Sequence, residues 1–139
     1  MKKNKFIFIA FGMLLFFPAC TVYRAPGISN FAPEDICVLE DNGSFRAGVV
    51  VDVIDGRRRG MGIPTRFELL PGTHEITLYG NPGLGVTPDR KSILFVGKAG
   101  GVYQLKIQKF EKVDAGVYEY ATWKAWIIEK DSVRSDNQK

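Results

Sequence analysis

The sequence contains few of the side chains from which catalytic and metal sites are most often built. Its 139 residues include two cysteines and one histidine. Two cysteines with one histidine make no recognisable metal site. A histidine-based acid–base step would have to use His74, and the sequence has no Gly-x-Ser-x-Gly motif. We therefore predict no catalytic residue, no bound metal and no cofactor.

Excess positive charge is also missing from most of the chain. The formal net charge is +4, but Lys2, Lys3 and Lys5 fall within the first nineteen residues. From Cys20 onward, 16 lysines and arginines stand against 15 aspartates and glutamates. Non-specific binding of nucleic acid needs a dense basic footprint. The charge balance therefore predicts that nucleic acid is not a partner.

Helical periodicity is the third absence. After residue 19, no stretch shows helical spacing over more than two turns, and alternation with period two dominates. The alternating or apolar stretches are 36–39, 45–54, 66–70, 73–79, 92–96, 102–110 and 118–128. This pattern predicts an all-β fold, an antiparallel β-sandwich of about seven strands, with a small barrel as the alternative.

Three stretches make sharper structural predictions. His74, Ile76 and Leu78 alternate with polar residues, so we expect these three side chains to face the core. The apolar stretch 92–96 is typical of a buried strand. The glycine- and proline-rich segment 81–90 is typical of a mobile surface loop.

The first nineteen residues have the composition of a secretion signal. Lys2, Lys3 and Lys5 give a basic start, and residues 6–17 form an almost unbroken apolar run. A run this short cannot cross about 30 Å of hydrocarbon with polar flanks on both sides. We therefore predict a signal peptide at residues 1–19.

The end of this signal carries a resemblance to a known class. The stretch Leu14–Cys20 ends in Phe-Pro-Ala-Cys and resembles the lipobox of bacterial lipoproteins. The resemblance implies a lipid on the sulfur of Cys20, with the membrane as a partner. The alternative is an ordinary secretory signal that happens to precede a cysteine. Residues 20–34, with two prolines and a glycine, are interpreted as a tether reaching about 40 Å, and residues 131–139 as a polar tail.

A second resemblance lies within residues 51–78, which are similar to a PEGA-type repeat. A strand ends in the turn pair Asp55-Gly56, and Leu70-Pro71-Gly72-Thr73-His74 leads into an alternating strand. Three arginines and Met61-Gly62-Ile63 lengthen the connection relative to that family. The downstream order also resembles small bacterial lipoproteins of unknown function. The resemblance implies a β-sandwich domain, here residues 35–130, in the cell envelope.

Five side chains are candidates for contact with a partner. Arg57, Arg58 and Arg59 follow the tight turn, and planar guanidinium groups suit phosphate, including that of lipid headgroups or lipopolysaccharide. The alternative is a solvated hairpin tip that limits edge-to-edge association. Trp123 and Trp126 belong to a late aromatic cluster, where exposed rings would suit an interface or stack on sugars. The alternative for both tryptophans is core packing.

His74 and Cys37 have one structural and one chemical interpretation each. His74 follows Pro-Gly on the apolar face of its strand, which favours an imidazole that packs and donates one N–H to a backbone carbonyl over a catalytic base. Cys37 lies within the apolar run Ile36-Cys37-Val38-Leu39, which favours a buried inert thiol over a reactive or intermolecularly paired one.

Together these observations predict a lipid-anchored lipoprotein of the bacterial cell envelope. We expect a non-enzymatic structural or interaction module whose partner is an envelope protein. Thr21 follows the lipidated cysteine, and a residue other than Asp there suggests the outer membrane where a Gram-negative sorting system operates. One alternative is a binding module for cell-wall glycan or lipopolysaccharide. Another is an envelope hydrolase built on His74.

Overall fold

The computed structural model of the chain describes residues 22–116 and 118–130, without the side chains of residues 111–115 and 118. The predicted signal peptide, Cys20 and the predicted polar tail lie outside these residues. Within the described part there is no α-helix, and short 3-10 helices occur at Ile28–Asn30, Pro33–Asp35 and Pro82–Leu84. The strands are β1 (Val22–Arg24), β2 (Cys37–Glu40), β3 (Val49–Ile54), β4 (Arg57–Arg58), β5 (Arg66–Leu69), β6 (Gly72–Gly80), β7 (Arg90–Gly97), β8 (Val102–Ala115) and β9 (Tyr118–Glu129).

The strands form two sheets, which confirms the all-β prediction. One sheet has the order β1-β5-β2-β8-β9, and the other has the order β4-β3-β6-β7. The prediction of about seven antiparallel strands needs correction, because nine strands are described and β1–β5 and β2–β8 are parallel pairs. The two strands that the sequence did not indicate are the shortest, β1 with three residues and β4 with two. Strands of that length are too short to display an alternating pattern.

Residues from both sheets meet in a single apolar cluster. The five-stranded sheet contributes Cys37, Leu39, Phe67, Leu69, Tyr103, Leu105, Ala121 and Trp123, and the other sheet contributes Val49, Val51, Ile54, Ile76 and Leu78. On β2, β5, β6 and β8 the residues in this cluster alternate along the strand, as the pleat requires.

The sequence predicted the buried side chains correctly on β6 but not on the neighbouring strand β7. On β6, His74, Ile76 and Leu78 are buried, which confirms the predicted face. On β7, Leu94 and Val96 are 70% and 63% exposed, so the prediction of a buried strand at 92–96 was wrong. The strand exists, but its sheet packs only one face against the core: Ile93 and Phe95 face the core cluster, and Leu94 and Val96 alternate with them on the solvent side.

The long β8–β9 hairpin links the two sheets. Its register shifts between Lys109 and Lys112, and such bulges bend a strand and increase its twist. Beyond the bulge, Ala121 pairs with Val86, which lies in the connection between β6 and β7. The hairpin therefore begins in the five-stranded sheet and ends against the loops of the other.

The described part of the predicted tether packs against the domain. Val22 to Arg24 pair in parallel with Arg66 to Glu68 as strand β1. Farther along the same segment, Ile28 is buried with Ile36 and Val38 in a second, smaller apolar cluster. The chain is thus tied to the sheet from residue 22 onward.

Candidate functional surfaces

His74 is a buried polar side chain with a hydrogen-bond partner at each ring nitrogen. Its Nδ1 lies 2.7 Å from Oδ2 of Asp55, and its Nε2 lies 2.6 Å from the carbonyl oxygen of Leu70. Both partners are acceptors, and a neutral imidazole carries only one N–H. Two simultaneous hydrogen bonds therefore require the doubly protonated, positively charged ring.

The surroundings of His74 favour that charge. The Cys37 side chain, the Asp55 carboxylate and the Leu70 carbonyl together raise the pKa of His74 from 6.5 to about 9, against the opposing effect of burial. Oδ1 of Asp55 also accepts a hydrogen bond from the backbone N–H of Glu75, at 2.9 Å. The carboxylate is thus held by β6 at two successive residues, which fixes the β3–β4 turn against that strand.

The Asp55-Gly56 turn has the geometry that the sequence predicted. The φ angles of Asp55 and Gly56 are 50° and 76°, and two successive positive values are typical of a two-residue type I′ hairpin turn. Asp55 is the only non-glycine residue with positive φ among those described. Its place in the turn brings the carboxylate to His74, nineteen residues farther along the chain.

Cys37, His74 and Asp55 resemble the components of a nucleophile–histidine–carboxylate triad in type but not in arrangement. Sγ of Cys37 lies 3.5 Å from the Leu70 carbonyl oxygen, and the residue is 0% exposed. Nε2 of His74, the nitrogen that would take a proton from a nucleophile, is already bonded to the same carbonyl. A triad needs substrate access and a free base, and the burial of both side chains provides neither.

The three arginines after the turn lie in two different environments. Arg57 and Arg58 form the short edge strand β4 and are exposed. Arg59 turns inward, and its Nη1 is buried with no hydrogen-bond partner among the described residues. It lines a small cavity together with Asp41, Ser44 and Pro64. Arg57 and Arg58 are therefore open to a partner, and Arg59 is only partly exposed.

The two tryptophans also lie in different environments. Trp123 is 1% exposed, and its Nε1 donates to the carbonyl oxygen of Thr87 at 3.3 Å. Nζ of Lys91 lies 4.5 Å from the centroid of its ring. Trp126 is 37% exposed on the outer side of β9, opposite Lys106 of β8. Core packing is thus the outcome for Trp123, and Trp126 alone presents a ring to solvent.

The glycine-rich segment 81–90 is more tightly packed than its composition suggested. The backbone N–H of Asn81 donates to the carbonyl oxygen of Gly48 at 2.8 Å, and its side chain accepts from Gly83. Val86 is fully buried in the main cluster. A Cβ on Gly80 would lie 2.0 Å from the Thr87 carbonyl oxygen, so the loop closes onto backbone there.

Two surface grooves lie beside β2. One, of about 510 Å³, is lined by the 98–102 turn and by two ion pairs, Lys98–Glu129 and Lys130–Glu40. The other, of about 400 Å³, is lined by residues 41–43, Phe45, Arg46, Ile63 and Thr65. The first groove carries balanced charge, and the second combines apolar side chains with the exposed Arg46 and the buried Asp41.

Comparison with protein-family models, with curated protein sequences and with solved structures finds no match to the chain. Within residues 22–116 and 118–130, no three histidine, cysteine, aspartate or glutamate side chains come together as a metal site. The same residues contain no helix of the length and apolarity needed to cross a bilayer.

Proposed function

We propose that the protein is a lipid-anchored lipoprotein of the bacterial cell envelope, held to the membrane through a lipid on Cys20. It acts as a non-enzymatic structural or interaction module for another envelope protein. The support for the anchor is the order of residues 1–20: a basic start, a short apolar run and a cysteine. Thr21 after that cysteine favours the outer membrane in a Gram-negative cell.

The support for a contact role is the composition of the described surface. Leu94, Val96, Trp126 and Ile128 are exposed apolar residues, and they lie on β7 and β9, the last strands in their sheets. Exposed edge strands with apolar side chains are the usual place for strand addition and for protein contact. Cys37 and His74, which an enzyme would need at its surface, are buried instead.

At the level of the fold, we infer a β-sandwich of the PEGA-like kind for residues 35–130. Supporting features are two sheets with one shared core, the Asp55-Gly56 turn, and the Pro71-Gly72 step into the strand that carries His74. The mixed strand order and the N-terminal strand β1 distinguish this domain from a purely antiparallel sandwich.

Metabolic labelling with palmitate in a bacterial host tests the anchor. We expect the wild-type chain to incorporate label and to sediment with membranes, and the Cys20→Ala variant to do neither. A Cys37→Ala variant is the matched control, because that thiol is buried and should not affect labelling. Label retained in Cys20→Ala would contradict the proposal. Cross-linking in intact cells, followed by identification of the attached protein, tests the contact role.

A second candidate function is binding of cell-wall glycan or lipopolysaccharide. One observation that favours it is Trp126, whose ring is 37% exposed opposite Lys106. A separate one is the exposure of Arg57 and Arg58 on β4. An exposed indole can stack on a sugar ring, and guanidinium groups can bind phosphate. Co-sedimentation with purified peptidoglycan, compared between wild type and Trp126→Ala, tests the sugar version. Equal sedimentation would exclude a role for this ring.

A further inference from the structure

Three loops meet at the end of the domain where the described chain begins. Val22 pairs with Arg66, so β1 starts beside the loop 59–65 that leads into β5. The N–H of Asp41 donates to the carbonyl oxygen of Thr65, which joins this loop to residues 41–48. The N–H of Asn81 donates to Gly48, which joins residues 41–48 to the 81–89 connection.

The tips of these loops are apolar and exposed. Met61 is 98% exposed, and Phe45, Ile63 and Leu84 are 41% to 43% exposed. Phe45 and Ile63 line one groove together with Arg46. We name Phe45, Arg46, Met61, Ile63 and Leu84 the anchor-side surface. Large apolar side chains that converge at one end of a domain mark a site of contact with a partner or a membrane.

The one exposed charge of the anchor-side surface is the guanidinium of Arg46. Arg46 is exposed and has no ion pair among the described residues. Asp41 lines the same groove but is 5% exposed, and its carboxylate accepts hydrogen bonds from the backbone and hydroxyl of Ser44. Apolar side chains around an exposed guanidinium are typical of surfaces that lie in the headgroup region of anionic bilayers.

The length of chain between Cys20 and Val22 limits how far the proposed lipid can lie from the domain. Cys20 precedes Val22 by two residues, so even an extended chain separates them by only about 7 Å. We propose that the anchor-side surface lies on the bilayer, with its apolar side chains in the headgroup region and Arg46 on anionic phospholipid. This inference rests on the proposed lipid at Cys20. It adds that the domain has one fixed face toward the membrane, in place of free movement on a tether.

The test uses the complete lipidated protein in vesicles. In the Met61→Cys variant, a polarity-sensitive fluorophore is attached to the new thiol. Labelling of this thiol is selective because Cys20 is acylated and Cys37 is fully buried. The matched control is Ala99→Cys in the exposed turn between β7 and β8, at the opposite end of β2. In vesicles of phosphatidylcholine with phosphatidylglycerol, the label at position 61 should shift to shorter wavelength and be quenched by nitroxide-bearing lipid. The label at position 99 should do neither.

A charge variant checks the mechanism without altering the core. Arg46→Glu changes the charge by two. At about 1 kcal/mol per charge near an anionic surface, the ratio of docked to undocked protein should fall by about thirtyfold. Vesicles of phosphatidylcholine alone should weaken docking of the wild type in the same direction. Quenching at position 61 that is unchanged by Arg46→Glu and by lipid charge would contradict the role of Arg46.

The two proposals fail in different ways. If mass spectrometry finds no lipid on Cys20 and the protein does not pellet with vesicles, the anchor is wrong. If the lipid is present but positions 61 and 99 behave alike, the anchor stands and the membrane-facing surface is wrong. If the label at position 61 is shielded in detergent without vesicles and the protein sediments as a dimer, a second copy covers the surface, and the proposal is overturned.

Discussion

His74 and Asp55 are joined by a hydrogen bond of 2.7 Å between Nδ1 and Oδ2, although nineteen residues separate them. The bond connects β6 to the turn between β3 and β4. Because Leu70 accepts from the other ring nitrogen, the imidazole is charged in the folded protein. An ion pair between a buried imidazole and a partly exposed carboxylate makes stability depend on pH in a predictable direction.

We predict that the free energy of unfolding falls as pH rises from 6 to 10. The pKa of His74 is raised from 6.5 to about 9 in the folded protein, so its contribution is complete below pH 6.5 and lost as pH rises through 9. The pKa difference alone corresponds to about 3 kcal/mol. Because the Asp55 side chain is 44% exposed and water screens it, we expect about 1–2 kcal/mol. Urea denaturation at each pH measures this quantity.

The His74→Gln variant isolates the effect from lysines and tyrosines that titrate in the same range. Glutamine keeps hydrogen-bonding capacity but carries no charge, so its stability profile should be flatter above pH 7. Asp35→Asn, which removes an exposed carboxylate elsewhere, should retain the wild-type slope. Equal slopes for wild type and His74→Gln would show that the ring is neutral in the folded state.

A second prediction concerns the contact between Gly97 and Cys37. A Cβ built on Gly97 would lie 2.4 Å from Sγ of Cys37 and 3.1 Å from its Cβ. We therefore expect Gly97→Ala to destabilise the protein by about 1–3 kcal/mol through overpacking. In a Cys37→Ala background the closest clash is gone, so the same change should cost less. A double-mutant cycle by thermal or urea unfolding measures the difference, and additive effects would contradict this packing account.

The sequence was sufficient for the parts of the fold that depend on local pattern. The alternation around His74, Ile76 and Leu78 correctly predicted the buried face of β6, and Asp55-Gly56 correctly predicted the turn. Both are properties of a few consecutive residues. The all-β class followed from many such segments.

Features that depend on which segments become neighbours could not be predicted in this way. The parallel pairing of Val38 with Val102 joins residues more than sixty positions apart, and no local pattern reports that register. Leu94 and Val96 were expected to be buried because they are apolar, but they lie on the face of β7 that no other element covers. The contact of His74 with Asp55 could not be predicted for the same reason, because the two residues are nineteen positions apart and only sheet pairing brings them together.

A third prediction follows from the burial of Cys37. In a Cys20→Ser variant the only remaining thiol is 0% exposed, so it should not react with a thiol reagent such as 5,5′-dithiobis(2-nitrobenzoate) in the folded state. Unfolding in urea should release one reactive thiol per chain. Reaction in the folded state at the rate of a free thiol would favour the alternative of a reactive cysteine.

The two tryptophans give a fourth prediction, because they are close in sequence and opposite in environment. Trp123→Ala should cost about 3–5 kcal/mol, since it removes a ring that is 1% exposed. Trp126→Ala removes a ring that is 37% exposed and should cost much less, on the order of 1 kcal/mol.

Acrylamide quenching supplies an independent measurement. The fluorescence of Trp123→Phe should be readily quenched, and that of Trp126→Phe should be protected until the protein unfolds. Equal quenching of the two variants would mean that the β8–β9 hairpin does not seal Trp123 against the loop at Thr87.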